Sequence, residues 1–329
     1  MSDASVGTRA RFTLRRVTAG DRTFADEIRA GLTAVQKSIP PRYFYDDLGS
    51  SLFEAITYLP EYYVTRAETE LLRRHAHEII NAVGSVSRVV ELGSGSGRKT
   101  RLLLDEIRGD IEYIPVDIDP HVLEKNGREL LSEYEALRVS AICSEFAPPS
   151  RALADALGDG RTLAIFLGST IGNFEPRRAA ALLRDLRNVL KPGDSFLLGA
   201  DLKKSREMLE KAYNDALGVT EAFNLNLLQR INRDLGGHFD LRAFGHWAFY
   251  EPERGRVEMH LVSLREQSVK IDALNLEIAF SEGETIHTEN SYKYDDDDVT
   301  RMVADSGFEI AGRWTDSRRW FADVLLRAR

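Results

Sequence analysis

Only one cysteine, Cys143, occurs in 329 residues, so no disulfide within the chain can staple the fold. Long apolar runs are also missing, and none approaches the length that crosses a bilayer. The stretch from Met1 to Thr18 carries charges but lacks the apolar segment of a secretory leader. A basic stripe is absent too: the net charge is −8, and lysines and arginines are dispersed rather than gathered along one face. A surface that tracks phosphates is therefore not expected, and nucleic acid is excluded as a partner. There is no internal repeat, and no low-complexity segment beyond Asp295 to Asp298. From these absences a cytoplasmic protein without membrane partners is expected; a monomer is expected too, although the sequence does not fix the oligomeric state. The apolar content of 43% is that of a globular chain, with enough length for one large domain or two ordinary ones.

Alternation of two periodicities supplies the fold class. Val64, Ala67, Leu71, Leu72, Ile79, Ile80 and Val83 recur at helical spacing over 64–83 and predict a helix leading into a first strand. Short runs rich in Val, Ile and Leu follow at 88–93, 113–118, 139–144, 163–168 and 194–200, with helical patterns after the first, second and fourth. That arrangement predicts an α/β fold, a parallel sheet covered by helices on both faces. The helix after the fourth strand is bounded by Glu175-Pro176 and by Lys191-Pro192-Gly193. Beyond Asp201 the pattern changes: 203–235 reads as helical and 247–294 as several short strands, a block too long for a crossover and so a second lobe. The segment 295–329 reads as a helix and two strands, Glu309 to Trp314 and Trp320 to Leu326, returning to the main sheet.

The residues carrying chemistry cluster at the ends of those strands. Arg88-Val89-Val90-Glu91-Leu92-Gly93-Ser94-Gly95-Ser96-Gly97 runs an apolar strand into three alternating glycines, a turn that lets backbone bend tightly and approach a ligand. Glu91 at its mouth would repel a pyrophosphate, whereas S-adenosylmethionine offers an ammonium and a sulfonium. The expected cofactor is therefore the methyl donor rather than NAD. Asp117 ends the second strand near the spacing at which an acid meets ribose hydroxyls, while Asp119, followed by Pro120, reads better as a helix cap. Glu145 and Phe146, after the third strand, are placed to bracket an adenine, although Phe146 reads equally well as core. Lys99, in the first turn of the next helix, reads either as a contact to a methionine carboxylate or, more commonly for such a lysine, as a solvated side chain. Phe166 to Phe174 puts small polar residues and Asn173 at the edge where substrate meets donor. Tyrosines gather at 43, 45, 58, 62, 63, 292 and 294, where they suit either a buried lobe interface or a pocket for alkylated cations.

Three signals carry less. His75 and His77 stand two apart on a helix and face different ways, so they do not share a metal. Asp295 to Asp298 opens a helix, where carboxylates complement the dipole. Cys143 lies in an apolar strand and reads as core. No metal is expected.

Taken together the chain resembles the bacterial histidine Nα-methyltransferases of ergothioneine biosynthesis. The resemblance is carried by Pro40-Pro41-Arg42-Tyr43-Phe44-Tyr45-Asp46, Leu59-Pro60-Glu61-Tyr62-Tyr63, Glu91-Leu92-Gly93-Ser94-Gly95, the segment 166–173, Lys191-Pro192-Gly193-Asp194, Ala222-Phe223-Asn224-Leu225-Asn226 and Thr288-Glu289-Asn290-Ser291. It implies a class I SAM-dependent methyltransferase, a Rossmann-like α/β sheet (61–203 plus 293–329) with a smaller α+β substrate lobe (1–60 plus 204–292). It implies that Gly93, Lys99, Asp117, Glu145 and Phe146 hold S-adenosylmethionine, with Glu145 a departure from the family's more usual aspartate. It further implies that Tyr62, Asn173 and Tyr213 hold the amino and carboxylate groups of L-histidine, that Glu289 and Ser291 hold its side chain, and that Met259 packs against the ring. Their chemistry fits, since a carboxylate and a hydroxyl two apart on a strand face the same way and can engage both imidazole nitrogens. Relatives acting on tryptophan or tyrosine should differ at these positions.

The implied reaction is repeated in-line methylation of the α-nitrogen to hercynine, with positioning as the main task. Each intermediate amine must lose a proton, to water or through Tyr45 as a relay. A nicotinamide oxidoreductase would share the glycine turn, but no Tyr-x-x-x-Lys dyad occurs; a nucleic-acid methyltransferase would carry Asn-Pro-Pro-Tyr or Asp-Pro-Pro-Tyr at the fourth strand, and none does. A non-catalytic sensor of S-adenosylmethionine would bind the donor without turnover.

Overall fold

The computed structural model describes residues 11–17, 23–144 and 151–329. Its main sheet has eight strands, in the order Phe12–Arg16, Leu137–Cys143, Ile111–Asp117, Arg88–Leu92, Thr162–Phe166, Ser195–Asp201, Phe321–Ala328 and Phe308–Thr315. The first six are mutually parallel, and Phe321–Ala328 runs antiparallel to both of its neighbours. Because side chains alternate across a strand, this sheet buries two apolar layers. Val89, Leu163, Ile165 and Leu197 point to one face with Leu71 and Leu72 of the helix Val64–Val83. Val90, Leu92, Ala164, Phe166 and Leu198 point to the other with Leu182, Leu183 and Leu186 of the helix Pro176–Val189. Each fully buried Leu or Ile contributes roughly 1.5–3 kcal/mol of transfer free energy.

Two features depart from the sequence expectation. The strand Phe12–Arg16 does not belong with the smaller lobe, for it pairs in parallel with Leu137–Cys143 at the edge of the main sheet. A helix, Arg151–Ala156, also follows the third expected strand, where none was expected. The run at Asp295 does open a helix, Asp296–Ala304, with Asp295 and Asp298 forming a capping box.

The second lobe is built on a four-stranded sheet in the order Lys37–Ser38, Thr285–Tyr292, Arg256–Ser263 and Phe244–Glu251. The helices Asp47–Ile56, Arg206–Tyr213 and Val219–Leu235 pack around it, the first and last against each other. A register shift between His287 and Glu289 re-aims the end of Thr285–Tyr292. Immediately afterwards, the N–H of Tyr294 donates to the Asp201 carbonyl at 2.9 Å, tying that strand to the carboxyl end of a main-sheet strand. Glu289, Ser291 and Lys293 are thereby delivered to the carboxyl edge of the main sheet. Among the described residues, no helix is long and apolar enough to cross a membrane.

Candidate active site

The donor side begins at the glycine turn. Gly93, Gly95 and Gly97 have φ of 71°, 44° and 64°, left-handed values that a side chain would strain. A Cβ on Gly95 would project into open space, so the turn leaves room for a ligand against bare backbone. Asp117 lies beside it, its Oδ2 accepting from the Gly95 N–H at 3.2 Å and its Oδ1 from the Asp119 N–H at 3.1 Å. Burial raises its pKa, partly offset by those N–H groups. Asp119 is the helix cap that the sequence suggests, accepting from the N–H groups of His121 and Val122.

One expectation on this side needs correction. Glu91 does not stand at the mouth of the turn. It is buried beneath it, accepting from Thr100 Oγ1 at 2.6 Å and from the Tyr113 hydroxyl, and burial pushes its carboxyl up to about 7. Lys99, expected near the donor's carboxylate, has its ammonium bonded to Glu68, a fully buried acid on the helix Val64–Val83. The same Glu68 carboxylate accepts the Gly168 N–H at 2.8 and 2.9 Å, which ties Lys99 to the catalytic-edge loop. Glu145 and Phe146 lie outside the described residues.

That loop, 168–173, is tightly wound. Gly168 and Ser169 both have positive φ, and Ser169 Oγ accepts from the Asp201 N–H at 2.9 Å. A Cβ on Gly172 would come within 2.8 Å of the Tyr292 carbonyl oxygen, so only glycine lets the loop press against the second lobe.

Here the two lobes enclose one cavity. Tyr45, Tyr62, Asn173 and Tyr213 all line it, together with Met259, Glu289 and Ser291. Every substrate residue named from the sequence is thus brought to the same wall. Gly168 borders it as well, and Lys99 Nζ lies 3.2 Å from where a Gly168 Cβ would be, so donor and substrate sides meet there. Aromatic rings pack against one another around it: Tyr45 meets Phe53 and Phe223 edge-on at 5.8 and 6.0 Å, and Tyr62 meets Tyr213 at 6.2 Å. Tyr63 and Tyr294 instead brace the packing: Tyr63 donates to Asp201 at 2.8 Å and Tyr294 to the Ile171 carbonyl at 3.2 Å.

Glu289 is buried and accepts from Asn173 Nδ2 at 3.1 Å. Burial pushes its carboxyl up to about 7, against the opposing pull of Lys293 and of Asn173. Burial also lifts the Tyr45 and Tyr62 phenols above their ordinary range.

The matches to known proteins agree with this geometry. The profile described as "Histidine-specific methyltransferase, SAM-dependent" matches residues 24–328. The chain belongs to this family. It is 46% identical over 294 residues to the histidine N-alpha-methyltransferase of Mycolicibacterium smegmatis, covering 88% of this chain and 90% of that one. With the enzyme of the same name from Mycobacterium tuberculosis it shares 42% over 301 residues, covering 91% and 92%. The ergothioneine biosynthesis protein 1 of Neurospora crassa is 30% identical, with 89% of this chain matching 33% of a longer protein. As a family member the chain is an S-adenosylmethionine-dependent α/β methyltransferase, and the open backbone at Gly95 with Asp117 beside it suits that donor.

Sequence reasoning missed Glu68, Asp201 and Lys293. Lys293 is 2% exposed and Asp201 fully buried, Nζ to Oδ2 at 2.8 Å. Lys293 also lines the cavity. A lone lysine after a strand normally lies in solvent, and only its position two residues past Ser291, on the same face, hinted otherwise.

Proposed function

We propose that this protein transfers methyl groups from S-adenosylmethionine to the α-nitrogen of L-histidine, three times in succession, to give hercynine, the opening step of ergothioneine biosynthesis. The observation that carries the reading is the buried Glu289 carboxylate, set beside Ser291 on the wall of a cavity that opens toward Lys99 and the glycine turn. A desolvated carboxylate penalises any side chain that cannot donate to it, which favours an imidazole over a plain aromatic ring.

When bound, S-adenosylmethionine would supply a methyl on its sulfonium: the amine lone pair forms the N–C bond at that carbon, the C–S bond breaks in line, and its electrons leave on the sulfur of S-adenosylhomocysteine. What the chain contributes is placement. Tyr62, Asn173 and Tyr213 orient the amino and carboxylate groups, Met259 packs on the ring, and Glu289 with Ser291 fixes the ring nitrogens. Gly93 and Asp117 hold the donor, with Asp117 on the ribose. Each cycle releases one proton, because the α-ammonium must be neutral before it attacks. Tyr45 and Tyr62, with phenols raised by burial, stay protonated at neutral pH, and water carries the proton away.

Purified protein incubated with donor and histidine should yield mono-, di- and trimethylated histidine by mass spectrometry. Absence of any methylated histidine would overturn the reading.

A further inference from the structure

Lys293 makes three bonds with the three hydrogens of its ammonium: to Asp201 Oδ2 at 2.8 Å, Tyr213 Oη at 2.9 Å and Ser291 Oγ at 2.8 Å. Asp201 is in turn held by Lys204 at 2.5 Å and by the Tyr63 hydroxyl at 2.8 Å. Tyr213 and Ser291 are themselves 2.7 Å apart, oxygen to oxygen. An ammonium donates and never accepts. Two hydroxyl hydrogens therefore remain for Tyr213 and Ser291. One is used between them, and among the described residues the other has no acceptor except what enters the cavity.

The phenol is the stronger acid of the two and takes the donor role toward Ser291 Oγ, so the serine hydrogen is the one left facing inward. Without Lys293, either hydroxyl could turn around and accept from a ligand. With it, the wall is restricted to donating at Ser291 and, two residues earlier on the same strand, to accepting at Glu289.

We propose that Lys293, anchored by Asp201, is a positioning residue that orders the Tyr213–Ser291 hydroxyl pair so that the cavity offers one fixed donor beside the Glu289 acceptor. The ligand chemistry this pair fits is a five-membered ring with one N–H and one bare nitrogen, the neutral imidazole in a single tautomer. An imidazolium, with two N–H groups, would set donor against donor at Ser291. The inference rests on the histidine reading given above and deepens it, since Lys293 touches the substrate only through its neighbours.

The test compares L-histidine with a pyrrolylalanine that keeps the ring N–H and carries C–H in place of the bare nitrogen. Native enzyme should prefer histidine by roughly 10- to 100-fold in kcat/KM, the worth of one lost hydrogen bond that leaves a partner unmet. In Lys293→Met combined with Asp201→Asn, which leaves the local charge balance unchanged, the preference should shrink to within about threefold. The loss should appear as a higher KM for histidine with kcat and donor affinity retained. Tyr213→Phe gives a second arm: the serine hydrogen is still driven inward by Lys293, so KM rises for both substrates while the preference persists.

A folded, donor-binding double variant with its preference intact would overturn the proposal, as would loss of the preference in Tyr213→Phe. A native enzyme that leaves histidine unmethylated would instead overturn the functional reading itself.

Discussion

The Asn173 side-chain amide donates to Glu289 across the seam between the lobes, Nδ2 to Oε1 at 3.1 Å. One partner comes from the loop that ends a main-sheet strand, the other from a strand of the second lobe. The bond joins the cavity wall to the loop at the carboxyl edge of the main sheet, so the carboxylate proposed to hold the substrate also helps to align the lobes. It also leaves the second Glu289 oxygen free for a ligand, since a carboxylate accepts at two atoms.

Glu289→Ala separates these roles. Removing a charge-assisted acceptor should raise the KM for histidine by roughly 10- to 100-fold. Affinity for S-adenosylmethionine should stay within about threefold, because the glycine turn and Asp117 lie on the other side of Gly168. Calorimetric titration of each ligand checks this. Unchanged histidine affinity would remove Glu289 from the substrate site.

The raised carboxyl of Glu289 gives a pH dependence whose sign follows from its state. Burial lifts it to about 7, with Lys293 and Asn173 pulling downward, while the Tyr45, Tyr62 and Tyr213 phenols around it stay neutral. Ring N–H recognition needs the ionised form. The KM for histidine should therefore fall as pH rises from 6 to 8, and Glu289→Gln should flatten that change. Stability runs the opposite way. A carboxyl whose pKa is raised by folding stabilises below its unfolded value, and the contribution is lost as pH rises through about 7. Ligand-free Glu289→Gln should thus gain roughly 1–3 kcal/mol over the native chain between pH 5 and 8, read from denaturant melts at the two ends.

Lys99 is expected to matter for stability before any donor arrives. Its partner Glu68 is fully buried and shares its surroundings with Asp323, an equally buried acid whose carboxyl is pushed well above the usual range by burial and by Glu68. Lys99→Met would leave that acidic pair uncompensated, a loss of about 3–5 kcal/mol for a buried ion pair broken on one side. Thermal unfolding of donor-free protein should drop by several degrees. If only donor affinity changed, Lys99 would be a ligand contact and nothing more.

Legibility followed the number of residues sharing a signal. Strands such as Thr162–Phe166, buried at every position, announce themselves through unbroken runs of Leu, Ala, Ile and Phe. The strand Phe12–Arg16 does not, because at the sheet edge three of its five positions are exposed and it reads Phe-Thr-Leu-Arg-Arg. The site residues on Thr285–Tyr292 were legible as a pattern, Glu289 and Ser291 sharing a face. Lys293 and Asp201 were not, since they meet only through the tertiary fold, and each alone resembles a surface charge. Glu91 misled for the same reason: an acid before a glycine turn reads as a ligand contact, while its real partners, Thr100 and Tyr113, are named only by packing.

Tyr45 provides the sharpest check on how protons leave the site. Its ring is packed between Phe53 and Phe223, and its hydroxyl has no hydrogen-bond partner among the described residues. Burial, followed by the nearby Glu289 and Asp117 charges, moves its phenol upward, so it stays neutral at working pH and offers no phenolate to take the amine's proton. A base whose charged form is disfavoured by its surroundings gains nothing from proximity to the amine. Tyr45→Phe keeps the ring contacts and deletes only the hydroxyl, so kcat for all three methylations should stay within about threefold, whereas a true relay would lose 100-fold or more. Single-turnover assays on histidine and on its mono- and dimethylated forms read each step separately. A selective collapse at the second and third transfers, where an alkylated ammonium must be deprotonated, would restore Tyr45 as the relay that the sequence suggested.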